Sequence, residues 1–153
     1  MNKPIRGIEK LNDMNVHPTA RLLFRRVLDE LVSLGYNPVV VEVYRSPARQ
    51  RMLYAQGRTD AQLIAKGYTQ SEITQYRNAG FTSDKRVVSY TLDSMHSKGR
   101  AMDIAWLVDG RITYDVPNSW WEMYGAIARK HGLNWGGDWK TFKDRPHIEY
   151  RGE

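Results

Sequence analysis

The chain of 153 residues contains no cysteine, and its lysines and arginines outnumber its acidic residues by six (23 against 17). Without cysteine, disulfides and thiolate metal sites are excluded, so any transition-metal site must use histidine and carboxylate ligands. No run of about eighteen apolar residues predicts insertion into a membrane. The charge would suit a polyanionic partner, but the basic residues are scattered, which argues against a nucleic-acid partner.

The N-terminal segment predicts no export signal. MNKPIRGIEKLNDMN lacks the apolar centre of a secretory signal peptide, so we expect the chain to be made as a soluble cytosolic protein. No linker rich in proline, glycine and serine divides the sequence, and no internal repeat is visible. These features favour a single domain over residues 1–153.

The first third of the chain predicts a helix, a strand and a second helix. Apolar residues recur at helical spacing from Pro18 until Gly35, which predicts an amphipathic helix that this glycine ends. Residues 38–45, PVVVEVYR, are rich in β-branched side chains and predict a strand. Ser46 and Pro47 suit an N-cap and a first helical turn, so a helix is expected through RQRMLYAQ.

The remaining chain predicts a mixture dominated by strands. Residues 56–84 are polar and punctuated by glycine, and we expect one short helix among them, near Ser71 to Asn78. The later elements are strands at 86–92 and 101–108, an Asp109–Gly110 turn into 111–116, a helix capped by Asn118 or Ser119 and ended at Gly132, and a strand at 146–150. We therefore predict the α+β class, with a small, mainly antiparallel sheet flanked by helices.

Strand parity predicts that Asp103 and His147 avoid the core. Side chains of a strand alternate between its two faces. Asp103 is therefore on the face away from the large apolar residues at 102, 104 and 106, and His147 shares a face with Glu149. If the two strands are neighbours, Asp103 and His147 can converge, and His96 can add a third group. Two imidazoles and one carboxylate would form an open zinc site that activates water. The alternative is three ordinary polar residues of a turn and two strands.

The other two histidines have simpler interpretations. His17 precedes Pro18 and is expected at the entry of the first helix. His131 follows Lys130 at the end of a later helix, where the helix dipole favours a positive charge. We expect neither histidine to bind a metal.

Three segments of the sequence each match a recognisable motif, and one of them contains no histidine. SMHSKGRAMD (94–103) fits S-x-H-x-x-G-x-A-x-D, DRPHIE (144–149) fits D-x-P-H-x-E, and YRSPARQ (44–50) contains R-S-x-x-x-Q. In this order they resemble the D-alanyl-D-alanine carboxypeptidase family of zinc peptidases, with Val43 where that family usually has glycine. The small size and the WGGDW segment are most similar to phage endolysins that act as L-alanyl-D-glutamate peptidases.

The resemblance implies a fold of the hedgehog and D-alanyl-D-alanine peptidase type. It implies one Zn²⁺ per chain, held by His96, Asp103 and His147, with Asp144 as the general acid/base. Arg45 becomes the expected electrophilic helper, because a guanidinium can hydrogen-bond an oxyanion or a substrate carboxylate at two points. Five further residues are expected to orient a ligand, brace the site or contact the substrate: Glu149, Ser94, Gln50, Trp135 and Trp139.

The implied function is hydrolysis of the L-alanyl-D-glutamate bond in the peptidoglycan stem peptide, by a monomeric endolysin that lyses the cell wall. The enzyme would be made in the host cytoplasm and reach the wall after a separate pore-forming protein releases it. Two alternatives stay open: a D-Ala-D-Ala carboxypeptidase or dipeptidase with the same zinc chemistry, and a non-catalytic, zinc-stabilised module that binds the wall. For Asp144, the alternative is an ion pair with Lys143 or Arg145.

Overall fold

The computed structural model describes residues 4–152 and confirms the α+β class. In that range the residues cluster into two compact units, one before residue 45 and after residue 97, the other from 45 to 97. None of the helices in residues 4–152 combines the length and hydrophobicity that crossing a membrane requires. The helices are α1 (Pro18–Ser33), α2 (Pro47–Ala55), α3 (Asp60–Ala65), α4 (Gln70–Asn78) and α5 (Asn118–Lys130).

The first unit contains an antiparallel sheet with β2 at its centre. The strands are β1 (Pro38–Glu42), β2 (Ala101–Val108), β3 (Arg111–Thr113), β4 (Asn134–Trp135) and β5 (His147–Glu149). They are ordered β1-β2-β5-β4, and β3 pairs with β2 beyond the end of β5. The predicted hairpin after residue 108 is confirmed, whereas β4 lies in a segment that we predicted to be a loop.

Helices α1 and α5 share a hydrophobic core with one face of this sheet. Met102, Ile104 and Trp106 of β2 are fully buried in that core, together with Phe24 of α1 and Tyr124 of α5. Burial of each large side chain contributes about 1.5–3 kcal/mol. The core therefore takes the even-numbered side chains of β2 and directs Asp103 to the other face, as strand parity predicts.

His17 and His131 lie at the helix ends where the sequence predicted them. The Nδ1 atom of His17 accepts hydrogen bonds from the backbone N–H groups of Thr19 and Ala20 (3.2 and 3.4 Å), which makes it the N-cap of α1. α5 ends at Lys130 with His131 as its C-cap, and Gly132 follows with a φ of 77°. The start of α5 differs from our prediction, because Pro117 is its N-cap and no side chain caps it.

The second unit has a small core of its own. Helices α2, α3 and α4 surround Tyr54, Leu63, Tyr68 and Ile73, all of which are buried. The helix predicted near 71–78 is confirmed as α4. α3 was not predicted, although Thr59 and Gln62 form a capping box that matches a recognisable helix-start pattern.

Residues 86–92 are not a strand, which corrects our prediction. Their backbone groups bond to side chains instead of a neighbouring strand: the Gln50 amide donates to the carbonyl of Thr91 (2.6 Å), and the Gln56 amide donates to that of Arg86 (2.8 Å). β-branched residues favour a strand only where a partner strand offers a ladder. In this unit, side-chain amides bind two of the segment's carbonyls, those of Arg86 and Thr91.

We expect the ion pair between Arg51 and Glu72 to make a measurable contribution to the free energy of unfolding. The guanidinium makes two bonds to the carboxylate (3.1 and 2.6 Å), and the Tyr76 hydroxyl donates a third (2.8 Å). The hydrogen bonds from Arg51 lower the pKa of Glu72 to about 2 from 4.5, despite the opposing effect of burial. Because the two side chains are partly exposed (34% and 23%), we expect Glu72→Gln to reduce the free energy of unfolding by about 1–2 kcal/mol.

This contribution has a defined pH dependence and a matched control. The folded-state pKa of Glu72 is depressed, so its contribution is complete above about pH 4.5 and is lost as pH falls towards 2. Urea unfolding between pH 3 and 7 should show the wild type and Glu72→Gln converging at the acidic end. Asp29→Asn breaks an ion pair whose side chains are 58% and 59% exposed, and should change stability by less than about 0.5 kcal/mol. Equal effects of the two substitutions would contradict the assignment.

Candidate metal centre

Two central strands place Asp103 and His147 directly opposite each other. Asp103 of β2 pairs with His147 of β5, and His147 Nδ1 lies 3.0 Å from Asp103 Oδ1. The two residues share the sheet face away from the main core, because their neighbours Met102 and Ile148 are buried in it. The convergence that the sequence suggested for neighbouring strands is therefore observed.

The imidazole of His147 has a carboxylate at each nitrogen. Its Nε2 lies 2.8 Å from Glu149 Oε1, while its Nδ1 faces Asp103 and, at 4.0 Å, Asp144 Oδ2. Burial alone would lower the pKa of His147, but the hydrogen bonds with Asp103 and Glu149, together with the negative charges, raise it to about 9. Three carboxylates thus surround one protonated ring, and a cation other than the proton would also be stabilised here.

Glu149 is a buried carboxylate held in its ionised form. Burial alone would raise the pKa of Glu149, but the hydrogen bond and charge of His147, with the charge of Arg151, lower it below its ordinary value. The Arg151 guanidinium forms an ion pair with its second oxygen. Because Glu149 occupies Nε2, it orients the ring and leaves Nδ1 directed at Asp103 and Asp144, which is the geometry of a residue that supports a ligand.

The loop before β5 holds Asp144 through a close backbone contact. The Asp144 N–H donates to the Gly136 carbonyl (3.0 Å), and a Cβ atom on Gly136 would collide with the Asp144 carbonyl. The neighbouring cations have other partners, because Lys143 donates to Gly137 and Arg145 to Asn118. Gly136 was not among the predicted site residues, although the paired glycines of WGGDW are a sequence signal for it.

The two tryptophans of this loop have different environments. The half-buried ring of Trp139 lies 5.2 Å from the ring of His147, centroid to centroid, as expected for a residue beside the site. Trp135 is buried in the main core, and its indole N–H donates to the Arg145 carbonyl (2.8 Å). The prediction that Trp135 walls a cleft is therefore wrong. Trp135 instead anchors the loop to the main core through its hydrogen bond to Arg145.

His96 opens a short 3₁₀ turn, His96–Lys98, and is buried. Its backbone N–H donates to Ser94 Oγ (3.2 Å), and its carbonyl accepts from the Arg45 N–H (3.1 Å). Ser94 thus braces the turn that carries His96. The glycine of the same motif, Gly99, has a φ of 66°, and a Cβ atom there would collide with the Asn15 backbone.

Gln50 orients the Arg45 side chain. Its Oε1 accepts from Arg45 Nη1 (2.8 Å), and its amide nitrogen donates to Ser89 Oγ (2.7 Å) and to the Thr91 carbonyl (2.6 Å). Gln50 is only 1% exposed, so its amide is committed to these partners. Of the two roles considered for Gln50, bracing the site agrees with this geometry better than contact with the substrate.

The histidine and aspartate residues of the motifs are candidate metal ligands. Within the first unit, Asp103 and His147 offer a carboxylate oxygen and an imidazole nitrogen 3.0 Å apart, and the resemblance adds the imidazole of His96. Two imidazoles and one carboxylate are a donor set that suits Zn²⁺ in sites with an open position. The residues present therefore fit this ion, and its binding would displace the proton of His147.

Comparison with known proteins establishes the family. The model of the D-alanyl-D-alanine carboxypeptidase family matches residues 88–150. The peptidoglycan L-alanyl-D-glutamate endopeptidase CwlK of Bacillus subtilis is 33% identical over 152 residues, with 91% of this chain and 78% of that protein covered. The chain belongs to the D-alanyl-D-alanine carboxypeptidase family. The family that the sequence motifs predicted is thereby confirmed.

Two further proteins are similar to this chain. The L-alanyl-D-glutamate peptidase of Listeria phage A118 is 32% identical over 63 residues, which cover 40% of this chain and 22% of the phage protein. The crystal structure of the L-Ala D-Glu endopeptidase ChiX of Serratia marcescens superposes with a TM-score of 0.57 at 25% identity, covering 97% of this chain and 89% of that one. The superposition with ChiX agrees with the fold that the motifs predicted.

Proposed function

We propose that this carboxypeptidase-family member is a zinc-dependent peptidoglycan peptidase that hydrolyses the L-alanyl-D-glutamate bond of the stem peptide. The observation that carries the proposal is the pairing of Asp103 with His147 (3.0 Å), with the Asp144 carboxylate 4.0 Å from His147 Nδ1. The choice of bond follows the similarity to CwlK, to the phage peptidase and to ChiX.

The proposed metal ligands are His96, Asp103 and His147, with one Zn²⁺ per chain. His147 would bind through Nδ1, because its Nε2 is already engaged by Glu149 (2.8 Å). When bound, zinc polarises the scissile carbonyl and lowers the pKa of water towards neutrality. Glu149 keeps the His147 ring in the orientation that directs Nδ1 into the site.

Asp144 is the proposed general acid/base. Its carboxylate faces the same nitrogen of His147 that would hold the metal, which would bring it within reach of an attacking water there. Asp144 would take a proton from the water during attack and return it to the amine of the departing D-glutamate. The Gly136 carbonyl fixes the backbone of Asp144 for this transfer (3.0 Å).

Arg45 is the proposed electrophilic helper and Trp139 a substrate contact. The hydrogen bond from Arg45 to Gln50 (2.8 Å) fixes one edge of the guanidinium, so that its charge is oriented before substrate binds. A fixed guanidinium stabilises a developing oxyanion or a substrate carboxylate. The Trp139 ring beside His147 would give the stem peptide an apolar surface.

The biological role that we propose is that of a phage-type endolysin. The similarity to a Listeria phage peptidase supports it, and the net charge of +6 would favour approach to an anionic wall. In this role a monomeric enzyme acts from within the host cell, after a separate pore-forming protein gives it access to peptidoglycan. Nucleic acid and membranes are not part of this proposal.

Product analysis tests the bond. Digestion of purified peptidoglycan should release peptides with a new N-terminal D-glutamate and leave L-alanine on the glycan, as measured by mass spectrometry after N-terminal labelling. Chelator-treated protein is the control and should release neither. Release of D-alanine or of the D-alanyl-D-alanine dipeptide would instead support the carboxypeptidase or dipeptidase alternative. Binding to the wall without any cleavage by the zinc-loaded protein would support the non-catalytic module.

A further inference from the structure

The strand register brings Tyr114 to the edge of β2 that carries the candidate metal centre. β3 pairs with β2 up to Thr113 opposite Trp106, and Tyr114 follows at a bend; continuing the register by one residue would bring it towards Ala105. Ala105 and Asp103 lie on the same face of β2, since they are two residues apart. Tyr114 therefore follows Asp103 at a diagonal position, where cross-strand neighbours are about 7–8 Å apart and a tyrosine side chain can bridge the gap.

β5 occupies the same edge immediately beyond Tyr114. His147 pairs with Asp103, and the Ile104 N–H donates to the Pro146 carbonyl (3.1 Å). Tyr114 thus lies where β3 ends and where the segment leading from Asp144 into β5 begins. Its side chain is 52% exposed, so the phenol is open to a bound molecule.

The electrostatic surroundings of the phenol agree with this position. Partial burial raises the pKa of Tyr114, and the negative charges of Asp103, Asp144 and Glu42 raise it further. At neutral pH the phenol keeps its proton and is a hydrogen-bond donor among groups that only accept.

We propose that Tyr114 is a substrate-binding residue of the candidate active site, which rests on the peptidase function proposed above. Its hydroxyl donates a hydrogen bond to a carbonyl or carboxylate oxygen of the stem peptide while that peptide lies against the Asp103–His147 face. Carboxylates cannot donate to such an oxygen, whereas the tyrosine supplies a neutral donor without adding charge to the site. Tyr114 fixes the peptide in register with the reacting groups and takes no part in proton transfer.

Kinetics with a soluble muropeptide test this assignment. Tyr114→Phe removes only the hydroxyl, so KM should rise about three- to tenfold, the effect of losing one neutral hydrogen bond, with kcat changed less than about twofold. Zinc content and the thermal unfolding midpoint should match the wild type. The control is Ile112→Ala on the same strand and face, 49% exposed and two residues farther from Asp103, which should leave KM and kcat unchanged.

The other outcomes overturn the assignment, and they distinguish failure of the proposed function from failure of the role of Tyr114. If the zinc-loaded wild type cleaves no muropeptide, the proposed function fails and the role of Tyr114 fails with it. If the wild type is active and Tyr114→Phe has an unchanged KM, only the role of Tyr114 is refuted. A fall in kcat at constant KM would refute substrate binding in favour of transition-state stabilisation. An equal loss in Ile112→Ala would refute a specific hydrogen bond.

Discussion

Asp144→Asn should keep the zinc and the fold but lower kcat by about two to four orders of magnitude, the usual effect of removing a positioned acid/base. The amide is nearly the same size as the carboxylate, yet it cannot accept a proton from the attacking water. The backbone contact with Gly136 does not involve the side chain, so the loop should stay in place. Zinc analysis measures the retained metal, the thermal unfolding midpoint measures the retained fold, and single-turnover peptide release measures the loss of catalysis.

Glu149→Gln is the matched control, because it also removes one carboxylate from the surroundings of His147. Here the expected loss is about ten- to a hundred-fold in zinc affinity or activity, since Glu149 acts by orienting the ring through Nε2 (2.8 Å). Retention of near-normal turnover by Asp144→Asn, together with an inactive but zinc-loaded Glu149→Gln, would mean that Glu149 handles the proton.

Substitution of the proposed ligands should remove the metal itself. The purified wild type is expected to carry roughly one zinc per chain, and His96→Ala and His147→Ala should each lose most of it, because two protein ligands seldom retain the ion. Activity should disappear in both variants and in chelator-treated wild type, and should return to the wild type alone when zinc is added back. Atomic absorption and peptide release on the same samples give the comparison.

His131→Ala supplies the control for removing a histidine. His131 Nε2 lies 3.2 Å from Glu30 at the end of α5, and we expect its removal to leave zinc content and activity unchanged. Full activity in metal-free wild type would refute the zinc mechanism. Loss of zinc in His131→Ala to the same extent as in His96→Ala would show that the histidine variants act through folding.

The first unit was predictable because local pattern and packing agree there. β2 alternates residues suited to the core with Asp103, and His147 and Glu149 alternate with Ile148, so parity alone assigned their faces. The sequence could not supply the order of the strands. The contact between Asp103 and His147 depends on β5 pairing with β2, which is a long-range choice made by the whole core.

The second unit was less predictable because side chains there replace regular backbone pairing. The segment 86–92 has strand-like residues, but Gln50 and Gln56 each bind one of its carbonyls and no strand forms there. Trp135 was misjudged for a related reason. Its position in a glycine-rich loop suggested exposure, whereas the glycine at 125 leaves room on α5 for the indole to pack inside. Such outcomes depend on which distant residues meet, and no local pattern records them.

β5 consists of three residues, and each is committed to one side of the sheet. His147 and Glu149 face the candidate centre, while Ile148 is fully buried in the main core. A slip of one position against β2 would put the imidazole and the carboxylate into the apolar core and expose the isoleucine, at a cost of several kcal/mol. A chain that folds stably around Ile148 has therefore, by the same register, turned His147 and Glu149 towards the candidate centre.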